Sequence, residues 1–134
     1  MSPVMQSKTV TVTIDRPPAD VYRFVSNPEN FPQWAAGLGH SVRRSGRDWI
    51  VETSVGPMRV RFAPPNDYGV VDHVVTPAPG VEILVPMRVV PNGSGSEIHL
   101  TVFQTDDMSD EKLAADLRLV ETDLRTLKTL LERR

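Results

Sequence analysis

The chain has 134 residues, of which 40% are hydrophobic and 24% charged, with a formal net charge of -2 and no cysteine. That length fits a single domain over residues 1–134 with one core, and the acidic balance argues against a general role on nucleic acid or a membrane surface. Without cysteine there is no disulfide framework, thiolate metal site or cysteine nucleophile; residues 1–13 lack a signal-peptide core and no apolar run is long enough to span a bilayer, so a cytoplasmic protein is expected.

Residues 8–14 alternate threonine with Val10, Val12 and Ile14, which predicts a first strand with one buried face. Residues 15–20 break it, and Pro18 suits the first turn of a helix because its missing N–H has no intrahelical partner there. Val21, Phe24 and Val25 form the apolar face of that short helix. Asn27-Pro28 stops it, since a residue before proline is pushed away from helical angles. A further irregular or helical turn then presents Phe31 and Trp34.

The middle of the chain reads as hairpins. Strands are predicted at 42–44, 48–53, 58–62, 69–75, 81–90 and 97–104, bounded by Gly- or Pro-containing turns as in an antiparallel meander. Pro86 inside the 81–90 strand requires a bulge or a locally unpaired position. Residues 109–134 are the most periodic: Leu113, Leu117, Val120, Leu124, Leu127 and Leu131 recur at alternating spacings of four and three, which places them on one helical stripe. About 24 helical residues would run about 36 Å, enough to cross a face of the domain. Ser109 is the expected N-cap, with Asp110 and Glu111 in the first turn and Arg133 and Arg134 in the last. Leu119 and Leu130 share a flank of this helix that suits either packing on the short helices or a dimer contact, so monomer and homodimer both stay open.

The strand ending at Ile14, the helix start at Pro17-Pro18-Ala19, the aromatic Phe24 and the segment Asn27-Pro28-Glu29-Asn30 closing on Trp34 together resemble the opening of the START-like superfamily, SRPBCC, in its polyketide cyclase/dehydrase branch. With the helix at the far end, the resemblance covers nearly the whole chain. It implies an α+β helix-grip fold, in which a curved antiparallel sheet of about six or seven strands wraps a long C-terminal helix around an apolar cavity, with two short helices after the first strand. Fold alone does not fix activity, because the superfamily includes carriers, receptors, cyclases and co-chaperones.

If the helix covers one sheet face, strand alternation predicts the inward side chains. Trp49, Val51 and Thr53 are preferred over a set that would bury Glu52; Met58, Val60 and Phe62 face inward and leave Arg59 and Arg61 in water. Ile83, Val85, Met87 and Val89 avoid burying Glu82 and Arg88, and Ile98, Leu100 and Val102 leave Glu97 and His99 outside. With Trp34, and with Leu117, Val120 and Leu124 from the middle of the long helix, these strand residues give an almost wholly aliphatic and aromatic candidate ligand site. The exception is at 69–75, where Asp72 lies on one face and His73 on the other. A neutral imidazole costs less to bury than an unpaired carboxylate, so His73 is the expected inward residue. Its role stays open between a satisfied core or outward histidine and a ligand-binding or acid–base group. Tyr68 is a candidate hydroxyl at the rim and completes the candidate catalytic pair; Trp34 and Trp49 serve either as pocket wall or as core anchors.

His40, in a Gly-rich connection, reads as a solvated loop histidine or as a gate. Arg43, Arg44, Arg47, Arg59 and Arg61 form the main basic concentration, but Trp49 is the single aromatic among them, which suits a solvated sheet face better than a nucleic-acid site. Asp106, Asp107, Asp110 and Glu111 sit at a helix start, where the helix dipole accounts for them without a metal. No close histidine spacing, nucleophile–base motif or phosphate-cradling loop is visible, so no metal or other cofactor is expected. The sequence thus supports a protein that binds or carries a small apolar or aromatic molecule, without nucleic acid or a membrane span. A cyclase/dehydratase-type lyase or isomerase using the same cavity is the alternative, and a structural or interaction protein with a filled interior is the third.

Overall fold

In the computed structural model, residues 3–35, 41–53 and 56–134 are described. They run in the order β1 (Ser7–Ile14), α1 (Pro18–Val25), a 3₁₀ turn (Pro28–Asn30), α2 (Phe31–Trp34), β2 (Ser41–Ser45), β3 (Asp48–Thr53), β4 (Gly56–Phe62), β5 (His73–Ala78), β6 (Val81–Val85), β7 (Met87–Asn92), β8 (Gly95–Phe103) and α3 (Asp110–Glu132). The architecture is α+β, with a curved antiparallel sheet of eight described strands, short helices after the first strand and a long C-terminal helix. The strands pair in the orders β1-β8-β7 and β2-β3-β4-β5-β6.

The seam between these two parts lies at two places that the sequence predicted as single strands. Residues 81–90 are divided at Pro86, which has no N–H for a ladder bond; β6 pairs with β5, whereas β7 pairs with β8, and the Pro86 carbonyl accepts Thr101 N–H at 2.9 Å. The segment before β5 makes the complementary change. Val71 N–H donates to Met87 O and Val89 N–H to Gly69 O, both at 2.8 Å, while His73 onward pairs with β4 and β6. Asp72 holds the changeover: its carboxylate accepts the Met87 N–H at 2.8 Å and both Nε and Nη2 of Arg88. Gly69 has φ +74°, and a Cβ there would lie 2.1 Å from the Val89 carbonyl oxygen, so the approach of the two backbones requires glycine.

α3 begins as expected, with Ser109 Oγ accepting the Lys112 N–H at 3.1 Å. Its end differs from expectation. Arg133 is the C-cap and the last turn carries no basic residue; instead Arg16 Nη1, from the β1–α1 connection, reaches the carbonyls of Leu131 at 2.8 Å and Arg134 at 3.0 Å. Lys128 Nζ donates to Thr13 O, and Glu132 accepts the Asp15 N–H, so the helix end is fastened to the end of β1. Leu124, Leu127 and Leu131 are buried with Ile14, Val21, Met87 and Ile98 in one core. Among the described residues no helix is long and apolar enough to cross a membrane.

Candidate functional site

The curvature of the sheet leaves a cavity of about 290 Å³ beneath the N-terminal half of α3, so the interior is not filled by the chain's own side chains. β3, β4, β5, β6 and β8 supply most of its wall, α2 supplies Phe31 and Trp34, and α3 supplies the roof. Of the residues expected at a ligand, Trp34, Val51, Met58, Val60, His73, Val85, Leu100, Val120 and Leu124 do line this space. Leu84 and Leu119 line it while 48% and 45% exposed, which places the mouth between β6 and α3. Lys112 and Asp116 form an ion pair on the same side of the helix.

Five expected ligand contacts lie elsewhere. Met87 and Ile98 are 0% exposed, because α1 packs on β7 and β8 and leaves no space there. Trp49 does face the inner side, paired with Val60, but it is half-buried toward β2, with the Arg44 guanidinium 5.9 Å from its ring. Phe62 packs behind the wall, against Phe31 at 5.8 Å and His73 at 5.2 Å between ring centroids. Leu117 is half-buried and absent from the lining, and the roof is formed by Asp116, Leu119, Val120, Asp123 and Leu124. Leu130, by contrast, packs against the core. Tyr68 is 84% exposed and absent from the lining: the turn preceding β5 is organised by Asn66, whose Oδ1 accepts the N–H groups of Tyr68 and Val70, and it leaves the phenol in solvent. His40 lies outside the described residues.

His73, put on the inner face by the lower cost of burying an imidazole than a carboxylate, is 5% exposed and lies in the cavity wall. Its Nδ1 is 3.0 Å from the Val71 carbonyl oxygen, which can only accept, so the proton is on Nδ1 and the neutral ring keeps its lone pair on Nε2. Burial pushes the imidazole below its ordinary value of 6.5, against the opposing pull of the Val71 carbonyl and the Asp72 carboxylate. The histidine is therefore held neutral, in a cluster of three mutually touching rings with Phe31 at 6.2 Å and Phe62 at 5.2 Å.

Two polar features of the wall escaped the sequence reading. Asp123 is a carboxylate only 7% exposed in the roof, and its seat follows from the spacing of Asp116, Leu119 and Asp123, which parallels the leucine stripe. The Trp34 indole N–H is buried without a hydrogen-bond partner among the described residues. On the opposite face of the sheet, Asp48 is 6% exposed and receives Arg61 at 2.7 Å and Arg59 at 3.0 Å; the Arg61 hydrogen bond holds its carboxyl below the usual range despite burial. Arg43 lies 3.8 Å from Glu52, so much of the arginine concentration is engaged by the chain's own carboxylates.

The same fold occurs in solved structures of low sequence identity. XoxI from Bacillus cereus is 19% identical with a TM-score of 0.77, covering 95% of this chain and 96% of that one. The Aha1 dimer from Colwellia psychrerythraea is 13% identical, with a TM-score of 0.74 over 96% and 97%. A START superfamily protein from Mycobacterium smegmatis is 11% identical, with a TM-score of 0.70 over 95% and 97%. These likenesses establish the fold alone. No curated protein matches the chain in sequence. The family described as polyketide cyclase / dehydrase and lipid transport matches residues 5–132, nearly the whole chain, and the protein belongs to it.

Proposed function

We propose that the protein binds and carries a small apolar or aromatic molecule between its sheet and α3. The observation that carries this reading is the cavity itself: about 290 Å³ of space with a predominantly aliphatic and aromatic wall and a mouth at Leu84 and Leu119. At about 30 Å³ per water in the liquid, that space equals roughly ten waters, which suits a ligand of about ten non-hydrogen atoms. Burial of about 250 Å² of apolar ligand surface would contribute roughly 6 kcal/mol at about 25 cal/mol per Å². Association costs reduce this, so affinities in the micromolar to millimolar range are expected.

The chain has two tryptophans, and only Trp34 lines the cavity. Trp49→Phe therefore leaves a single reporter in the site. On titration with a small alkylbenzene its emission should change saturably, and native mass spectrometry should show one bound molecule. An unchanged spectrum with no bound mass would sink the proposal.

A second reading, a cyclase/dehydratase-like enzyme, draws support from the placement of His73 and Asp123 in one cavity. A histidine held neutral can take a proton at neutral pH, as aldol closure or loss of water requires. With Tyr68 in solvent, the acid–base work would fall to His73 alone or with Asp123. Turnover of an identified substrate that persists undiminished in His73→Ala would remove this reading.

A further inference from the structure

His73 offers the cavity something its aliphatic wall does not. The Nδ1–H is taken by the Val71 carbonyl at 3.0 Å, the ring is 5% exposed, and it packs in one cluster with the Phe31 and Phe62 rings. No other hydrogen bond to the ring is found among the described residues. Nε2, on the ring edge opposite Nδ1, is thus an acceptor with a fixed lone pair, and the side chain lines the cavity. A hydrocarbon filling the space would leave that acceptor dry and unpaired, which costs more than the hydrogen bond itself contributes. A ligand hydroxyl would satisfy it. Resting on the binding function proposed above, we propose that the cavity selects small phenol- or alcohol-type ligands, whose hydroxyl donates to His73 Nε2 while the hydrocarbon body occupies the apolar wall.

The alternatives on the rest of the wall do not provide the same selection. Lys112 and Asp116 are paired with each other near the mouth, and Asp123 lies in the roof, on the helix side of the space. Only His73 combines a known tautomer, near-complete burial and a position in the wall. Selection by a neutral acceptor also differs from selection by charge: it favours a hydroxyl over a methyl group of nearly the same size, and it disfavours an ionised phenolate, which has no proton to give.

The probes are para-butylphenol and para-butyltoluene, which differ by hydroxyl for methyl. Their dissociation constants are measured by equilibrium dialysis, at neutral pH, for the full chain and for His73→Phe. Desolvation of the hydroxyl is common to both proteins, so the affinity ratio of the two probes isolates the contact with His73. The phenol-to-toluene ratio is expected to fall about tenfold in the variant. A ratio that is the same in both proteins overturns the inference and leaves the carrier function standing; failure of both probes to bind the unaltered chain overturns the two together. Should His73→Phe not fold, ¹⁵N imidazole resonances of the unaltered protein decide the matter. The Nε2 signal is expected to shift on saturation with para-butylphenol as it becomes an acceptor, and not with para-butyltoluene. Equal responses to both probes refute the hydroxyl contact.

Discussion

Burial holds the His73 ring neutral, which makes it a reporter of acid as well as a candidate contact. Its folded-state pKa lies below the unfolded value of 6.5 because of burial. Below 6.5 the unfolded chain therefore binds more protons at this residue; the stability it confers is complete above that pH and is lost as pH falls toward the folded pKa. Asp72, beside it, acts in a different window: Arg88 lowers its carboxyl from 3.8, so its contribution is present above 3.8 and is lost only at more acidic pH. Urea unfolding of the wild type and of His73→Gln should show a stability difference that shrinks as pH is lowered from about 7 to about 5. A pH-independent difference would contradict a neutral buried histidine. Gly69 gives a second residue-scale prediction. With φ +74° and a neighbouring carbonyl 2.1 Å from the position of a Cβ, Gly69→Ala should destabilise by more than about 1 kcal/mol, whereas Gly46→Ala, where a Cβ would meet nothing, should cost less. Equal midpoints in denaturant for the two variants would show that the crossing of Gly69 and β7 is looser than described.

The elements explain which parts of the site were legible beforehand. Alternation put Val51, Met58, Val60 and Leu100 on the inner face, since one residue of slip would have buried Glu52, Arg59 or Glu97, and for His73 the lower cost of burying a neutral imidazole than a carboxylate chose between the two faces. Alternation could not tell cavity from core. Met87 and Ile98 obey the same alternation as Val85 and Leu100, yet α1 covers the first pair, and the position of a covering helix is a tertiary fact. Pro86 announced an interruption but not its scale: the proline divides a predicted strand between two sets of partners. Similarly, the leucine stripe located α3 but hid Asp123, because a stripe chosen for hydrophobicity passes over the carboxylate lying between its members. Arg16 is the least expected element-scale contact. It caps the far end of α3 in place of the arginines that follow it in sequence, and it joins residues more than a hundred positions apart. Arg16→Met should lower the thermal midpoint by roughly 3–6 °C through loss of these hydrogen bonds, while Arg125→Met, on the solvent side of α3, should leave it within about 1 °C. Matching midpoints would mean that the clasp contributes nothing to stability.

At the scale of the whole molecule, the sheet and helix are held apart at one end and locked together at the other. Leu124, Leu127 and Leu131, with the Arg16, Lys128 and Glu132 contacts, fasten the C-terminal half of α3, while its N-terminal half spans a space of about 290 Å³. An unfilled apolar space forfeits packing, so the chain without ligand gives up stability that a ligand or a larger side chain would restore. Val120 is the residue on which to test this, being half-buried in the roof and directed to the cavity. Val120→Phe should leave stability unchanged or raise it by about 0.5–2 kcal/mol, as cavity-filling substitutions do. The wild type should in turn gain about 2.7 kcal/mol at a ligand concentration a hundred times its dissociation constant. The variant should gain much less from the same para-butylphenol, because ligand and ring compete for one space. Thermal scans of both proteins with and without the probe check the two effects together. If Val120→Phe is markedly destabilised, or if it gains as much from the probe as the wild type does, the space under α3 is not where the ligand sits, and binding would have to be sought outside the grip of the sheet on the helix.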